Sequence, residues 1–200
     1  MNPTEEFLCA IDAAWEWPMD ARIELRVLGS SALFLQCDYN RGTKDSDIIE
    51  TAQLAGDVVS RLQALAGRGT PLHGRHRLYL DVLGARFPFL PPEPMWWPLP
   101  ELTARMAHFS VAVLDPTDVA ISKLARFHAN DVQDVRHMIR RDFIDHAEFV
   151  ARFQAAIDEF AMDSRSEDYW KYVQRLHQVE RDFFGVPESA IELPSWAEDP

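Results

Sequence analysis

Two aspartates two residues apart, Asp45 and Asp47, stand in a segment that otherwise reads as a strand, and no other feature constrains the chain as much. In extended backbone, residues i and i+2 project to one face, roughly 6.5–7 Å apart. Two carboxylates on one face repel each other, so a positive partner is expected. One divalent cation, or two cations about 3.5–4 Å apart, would supply it in the geometry used for phosphoryl or nucleotidyl transfer. Magnesium suits such a pair because it prefers hard oxygen ligands and fills its remaining positions with water and phosphate.

The order of elements around the pair sharpens the reading. Ile23, Leu25 and Val27 alternate with Arg22, Glu24 and Arg26, which is strand period, and Gly29-Ser30 ends that strand. Ser31 to Cys37 is apolar enough for a buried helix, and a polar, Gly-containing connection leads to a second strand over 45–50. Backbone N–H groups and the helix dipole at Gly29-Ser30 can therefore meet an anionic phosphate, with glycine allowing close approach and Ser30 adding a hydroxyl.

Elsewhere, residues 4–16 show the three-and-four spacing of an amphipathic helix behind Thr4 as cap, and a helix is expected over 51–65. The stretch Arg77 to Leu83 reads as a third strand, with Leu78, Leu80 and Val82 on one side and Tyr79 and Asp81 on the other. The proline-rich run 88–100, "PFLPPEPMWWPLP", forbids regular helix or central strand and leaves an ordered surface excursion. A further strand is expected over 108–114. Asp115-Pro116 then opens a helix with Asp as cap and Pro at the first position, and helical pattern continues to Phe184 over 117–128, 131–141, 145–161 and 167–183. The expectation is an N-terminal α/β unit and a helical C-terminal half, with the boundary near Asp115.

The chain of 200 residues, 47% hydrophobic, can bury a sizeable core in one large domain or two small ones. Its formal net charge of −12 opposes broad binding to DNA, other nucleic-acid backbone or anionic lipid, while leaving metal-bridged triphosphate chemistry open. No apolar run approaches membrane-spanning length, and acids occupy the start where a signal peptide carries bases, so a cytoplasmic location and no membrane partner are expected. Cys9 and Cys37 have no metal-ligand spacing and form no disulfide framework.

The stretch "LGSSALFLQCDYNRGTKDSDI" resembles the signature of the DNA-polymerase-beta-type nucleotidyltransferase superfamily, and more narrowly that of AbiEii-like toxins and related nucleotidyltransferases. The matching positions are Gly29, Ser30, Ala32, Leu33, Arg41, Thr43, Asp45 and Asp47. The second motif of that family, a helix-borne Lys followed eight residues later by Asp, is matched by Lys123 and Asp131. Asn130 stands where the family commonly has a basic residue, and Arg126 is a nearby substitute for an Arg that the family places at His128.

The resemblance implies an α+β fold, a nucleotidyltransferase-type mixed sheet with flanking helices over 1–115 followed by a C-terminal helical bundle region over 116–200 packed on that core. It implies nucleotide transfer from an NTP to an acceptor hydroxyl, with Mg²⁺ or Mn²⁺ as cofactor and often a toxin role against which an antitoxin protein acts. Acceptors would be tRNA or protein. Asp45 and Asp47 would hold the metal, Gly29, Ser30, Thr43 and Lys123 the nucleotide, and Asp81 and Asp131 would complete the catalytic set. Asp81 reads either as the third carboxylate, which deprotonates the acceptor, or as a strand-edge acid. Lys123 reads as a phosphate contact or a solvated helix residue, and Asp131 as a catalytic acid or a helix cap.

A non-catalytic nucleotidyltransferase-fold binding module is the alternative. An Asp-x-Asp glycosyltransferase is a further one, although that class usually has a longer nucleotide-binding region before the motif. His73 and His76 read as a loop pair, and Trp96-Trp97 as aromatics buried by the proline-rich crossing. Arg136, Arg140 and Arg141 form the one concentrated basic spot, which could contact RNA phosphates or pair with Asp142 and Asp145.

Overall fold

A computed structural model describes residues 2–18, 21–39, 42–84, 88–159 and 168–193. The fold is α+β, with a five-stranded mixed sheet, flanking helices and a C-terminal helical region. The chain divides into two compact units, one comprising residues 1–87 and 96–114 and the other residues 88–95 and 115–200.

The first unit holds the strands β1 (Ile23–Val27), β2 (Asp45–Ile49), β3 (Tyr79–Leu83), β4 (Trp96–Pro98) and β5 (Phe109–Leu114) in the order β3-β2-β1-β5-β4. β1 runs parallel to β5 and antiparallel to β2, whereas β2 and β3 are parallel. Alternation sends Leu25, Val27, Ser46, Ile48, Phe109, Val111 and Val113 into the core, with Phe7, Leu8 and Ile11 of α1 (Pro3–Ala13) and Leu33 of α2 (Gly29–Gln36) also buried. Each fully buried apolar side chain among them stabilises by about 1.5–3 kcal/mol. The buried Asp12 fastens α1 to β5, its carboxylate accepting from the backbone N–H of Ala107, His108 and Phe109 at 2.7, 2.8 and 3.0 Å.

Local chemistry moves several boundaries. The α1 cap is Asn2, whose side chain accepts from the Glu5 N–H at 3.0 Å, because Pro3 is better placed at the first helical position than Thr4 is as cap. The 51–65 helix begins later, as α3 (Asp57–Ala66), since Gly56 adopts φ 55° just before it. Two short helices form where no element was expected: α4 (Pro71–His76), capped by Thr70, and α5 (Pro100–Thr103). The proline-rich run contains β4, whose Pro98 is tolerated because β4 lies at the sheet edge and pairs only with β5.

The second unit contains α6 (Pro116–Leu124), α7 (Ala129–Arg140), α8 (His146–Glu159) and α9 (Tyr169–Val179), the last prolonged by a π-turn over Glu180–Phe184. Asp115 caps α6, accepting from the Thr117 N–H at 2.8 Å. Phe149, Phe153 and Ile157 of α8 and Val173 and Leu176 of α9 are buried. The segment 88–95 belongs here through Phe89, which packs on Phe153 and Tyr172, and through Met95, whose N–H donates to the buried Asp118. Arg152 of α8 ties the same group together, bonding both Asp118 oxygens and the Glu93 carbonyl.

Candidate active site

The turn from β1 into α2 is built around Gly29, which has φ 65° and so occupies the left-handed region that favours glycine. A Cβ there would lie 2.7 Å from Asp47 Oδ2, so the missing side chain is what lets this carboxylate approach the first turn of α2. The strand is held to the turn by backbone, the Leu28 N–H donating to the Asp47 carbonyl at 2.9 Å. Ser31, almost fully buried, donates its hydroxyl to the Asp45 carbonyl at 3.1 Å. Ser30 lies half-buried in the same turn.

Asp45 has a second neutral anchor. The Thr43 hydroxyl donates to its Oδ1 at 2.7 Å, which fixes the carboxylate in one orientation. Arg41 lies outside the described residues.

Parallel pairing of β2 with β3 sets Asp45 opposite Tyr79 and Asp47 opposite Asp81. With Ser46, Ile48 and Leu80 turned into the core, the other face carries Asp45, Asp47, Tyr79 and the exposed Asp81. The Tyr79 phenol titrates above its ordinary range, through its burial first and then the charges of Asp45 and Asp81, with Arg68 opposing. Among the described residues, neither Asp45 nor Asp81 forms an ion pair. No group of three or more His, Cys, Asp or Glu among them is gathered for a metal ion. His73 and His76 sit on α4 and diverge, His73 packing on Tyr79 and His76 on Phe7.

The second motif forms its own cluster in the other unit. Lys123 is 5% exposed, and its Nζ lies 3.2 Å from Asp131 and 2.7 Å from Asp134, both fully buried. Arg126 donates to both oxygens of Asp131 at 3.0 Å, and the His128 N–H adds a third bond, so Asp131 also caps α7. Burial would raise the Asp131 pKa, but the Arg126 bonds and the Lys123 charge prevail and bring it down to about 2.

The structure thus sets Asp47 against Gly29 beside Ser30, Thr43 on Asp45, and Asp81 opposite Asp47 in the first unit, and pairs Lys123 with Asp131 in the second. Ser31, Tyr79 and Asp134 were not singled out from the sequence. Tyr79 alternates in step with Asp81, and Asp134 lies one helical turn beyond Asp131, which are the signals that mark them.

Residues 6–183 match the family described as "Nucleotidyltransferase of unknown function (DUF6036)". The chain belongs to this family. Membership of this nucleotidyltransferase family supports transferase activity with a nucleotide as substrate. No curated protein and no solved structure matches the chain. Among the described residues, no helix is long and apolar enough to cross a membrane.

Proposed function

We propose that this chain is a metal-dependent nucleotidyltransferase that moves a nucleotide from an NTP to an acceptor hydroxyl. The observation that carries the reading is the Asp47 carboxylate set against Gly29 at the start of α2, on the sheet face that it shares with Asp45 and Asp81. Hard carboxylate oxygens beside a space that any Cβ would fill suit Mg²⁺ or Mn²⁺, with Asp45 and Asp47 as its protein ligands. When bound, the ion neutralises triphosphate charge as the α-phosphate is attacked.

The remaining work falls to the chain's own groups. Thr43 orients Asp45, and Ser31 anchors its backbone. The first-turn N–H groups of α2 and the Ser30 hydroxyl hold phosphate oxygens. Asp81 accepts the proton of the acceptor hydroxyl while the new O–P bond forms at the α-phosphate and the bond to the leaving pyrophosphate breaks. Lys123 and Asp131 enter as the fastening of α6 to α7, because their charges are met inside their own cluster.

The resemblance of residues 28–48 to AbiEii-like toxins supports a toxin role, with tRNA or protein as acceptor and an antitoxin as partner. The test is incubation with each radiolabelled NTP, Mg²⁺ and a cell lysate. Wild-type protein is expected to label a macromolecule, and Asp45→Asn to reduce labelling by about 10²–10³-fold or more. Equal labelling by both proteins rejects the metal role. Absence of label from the wild type under every NTP rejects transfer and leaves a binding module.

A further inference from the structure

The end of α7 concentrates positive charge in a protein that carries 32 acidic against 20 basic residues. Arg136, Arg140 and Arg141 are all exposed. Among the described residues, none of the three joins an ion pair, with Asp142 and Asp145 or with any other acid. A helix dipole favours a cation in the last turn. It does not account for three guanidinium groups left unmatched amid an excess of acids.

The backbone fixes the positions from which these side chains project. Asp142 adopts φ 56°, its N–H bonds the Ile139 carbonyl at 3.1 Å, and the Phe143 N–H bonds the Met138 carbonyl at 3.0 Å. This is a Schellman closure, which fixes the chain direction just past the helix. Phe143, two residues after Arg141, is left 36% exposed. Arg136 is steadied by stacking over Phe183, 4.8 Å from the ring centroid. Arg136 and Arg140, one turn apart, are separated by about 6 Å along the axis, comparable to successive phosphates of an extended strand.

We propose that the C-terminal end of α7, formed by Arg136, Arg140, Arg141 and Phe143, is a docking face for a single-stranded polynucleotide. The guanidinium groups take backbone phosphates, and the exposed ring takes an unpaired base by stacking. An acidic polypeptide would use the charges but has no base for the ring. The face goes beyond the transfer reading and holds whether or not the docked strand is the nucleotide acceptor.

The test is fluorescence-anisotropy titration of the full chain with labelled oligouridylate, without NTP or divalent cation, so that it reads this face independently of transfer. Arg136→Gln/Arg140→Gln/Arg141→Gln should weaken binding about tenfold or more and reduce the slope of log K against log salt by roughly 2, at about 0.7 per phosphate contact. Phe143→Ala should weaken binding with the slope unchanged, and the triple Lys variant should retain the slope. Thermal melts of the arginine variants should stay near the wild type, since these residues are exposed, and binding by Phe143→Ala is read at a temperature where its own melt shows it folded. Oligothymidylate binding equally well supports the shared phosphate-and-base chemistry, and tighter oligouridylate binding identifies RNA as its source. No oligonucleotide binding, an unchanged affinity and slope in the Gln variant, or polyglutamate binding as tightly as oligouridylate would overturn the proposal.

Discussion

The buried acids of the helical unit and the acids on the shared face of the sheet are used in opposite ways. In the helical unit, acids are buried and matched: Asp118 by Arg152, Asp131 by Arg126 and Lys123, Asp134 by Lys123, and Glu180 by His146. On the sheet, Asp45, Asp47 and Asp81 share one face, and the partner seen for the Asp45 carboxylate is a neutral hydroxyl. A buried acid must be neutralised where it sits. Like charges left accessible on one face store repulsion that a cation relieves. On the proposed reading, the contrast separates acids that hold the fold from acids that would bind a metal ion.

The largest effect that tests this contrast is expected from Lys123→Met. It leaves buried Asp134 without its cation and should cost about 3–5 kcal/mol in urea unfolding. A loss below about 1 kcal/mol would mean that the cluster is not a fastening.

Acid should come next. With the Asp131 pKa depressed to about 2, its contribution is fully present above its unfolded value near 4 and is lost as pH falls through the folded one. Wild type should therefore lose about 2 kcal/mol relative to Asp131→Asn between about pH 4 and pH 2. Parallel pH profiles for the two proteins would contradict that.

Gly29→Ala should cost about 1–2 kcal/mol for the left-handed backbone alone. Adding Asp47→Ala to it should restore part of the further loss caused by the close Cβ contact, a coupling that a double-mutant cycle reads directly.

Asp45→Asn should alter stability least, by about 0.5 kcal/mol or less, while removing transfer. Marked destabilisation would place Asp45 with the structural acids and erase the distinction between the units.

What could be read from the sequence was whatever local periodicity and capping encode. Alternation placed β1 and β3, Gly29-Ser30 marked the turn between β1 and α2, and Asp115-Pro116 marked the start of α6. Shorter elements were hidden by their composition: α4 contains a glycine and two histidines, and only Thr70-Pro71, a cap followed by a first-turn proline, signals it. Partners distant in sequence were not legible. The proximity of Tyr79 to Asp45 depends on the β2–β3 register, and the pairing of Lys123 with Asp134 depends on how α6 and α7 pack. Ser31 rather than Ser30 anchors Asp45 because helical rotation directs the second serine at β2, which the doubled Ser-Ser does not reveal.

The polypeptide passes between its two units three times, at 87/88, 95/96 and 114/115. Severing any one peptide bond therefore cannot yield both units intact as separate fragments. During synthesis, the residues around Phe89 and Met95 leave the ribosome before Asp118, Phe153 and Tyr172, to which they will bind. β1 must likewise wait for β5, its parallel neighbour more than eighty positions later. Such distant closures are slow, so the nascent chain exposes a half-built sheet to chaperones until most of its length has emerged.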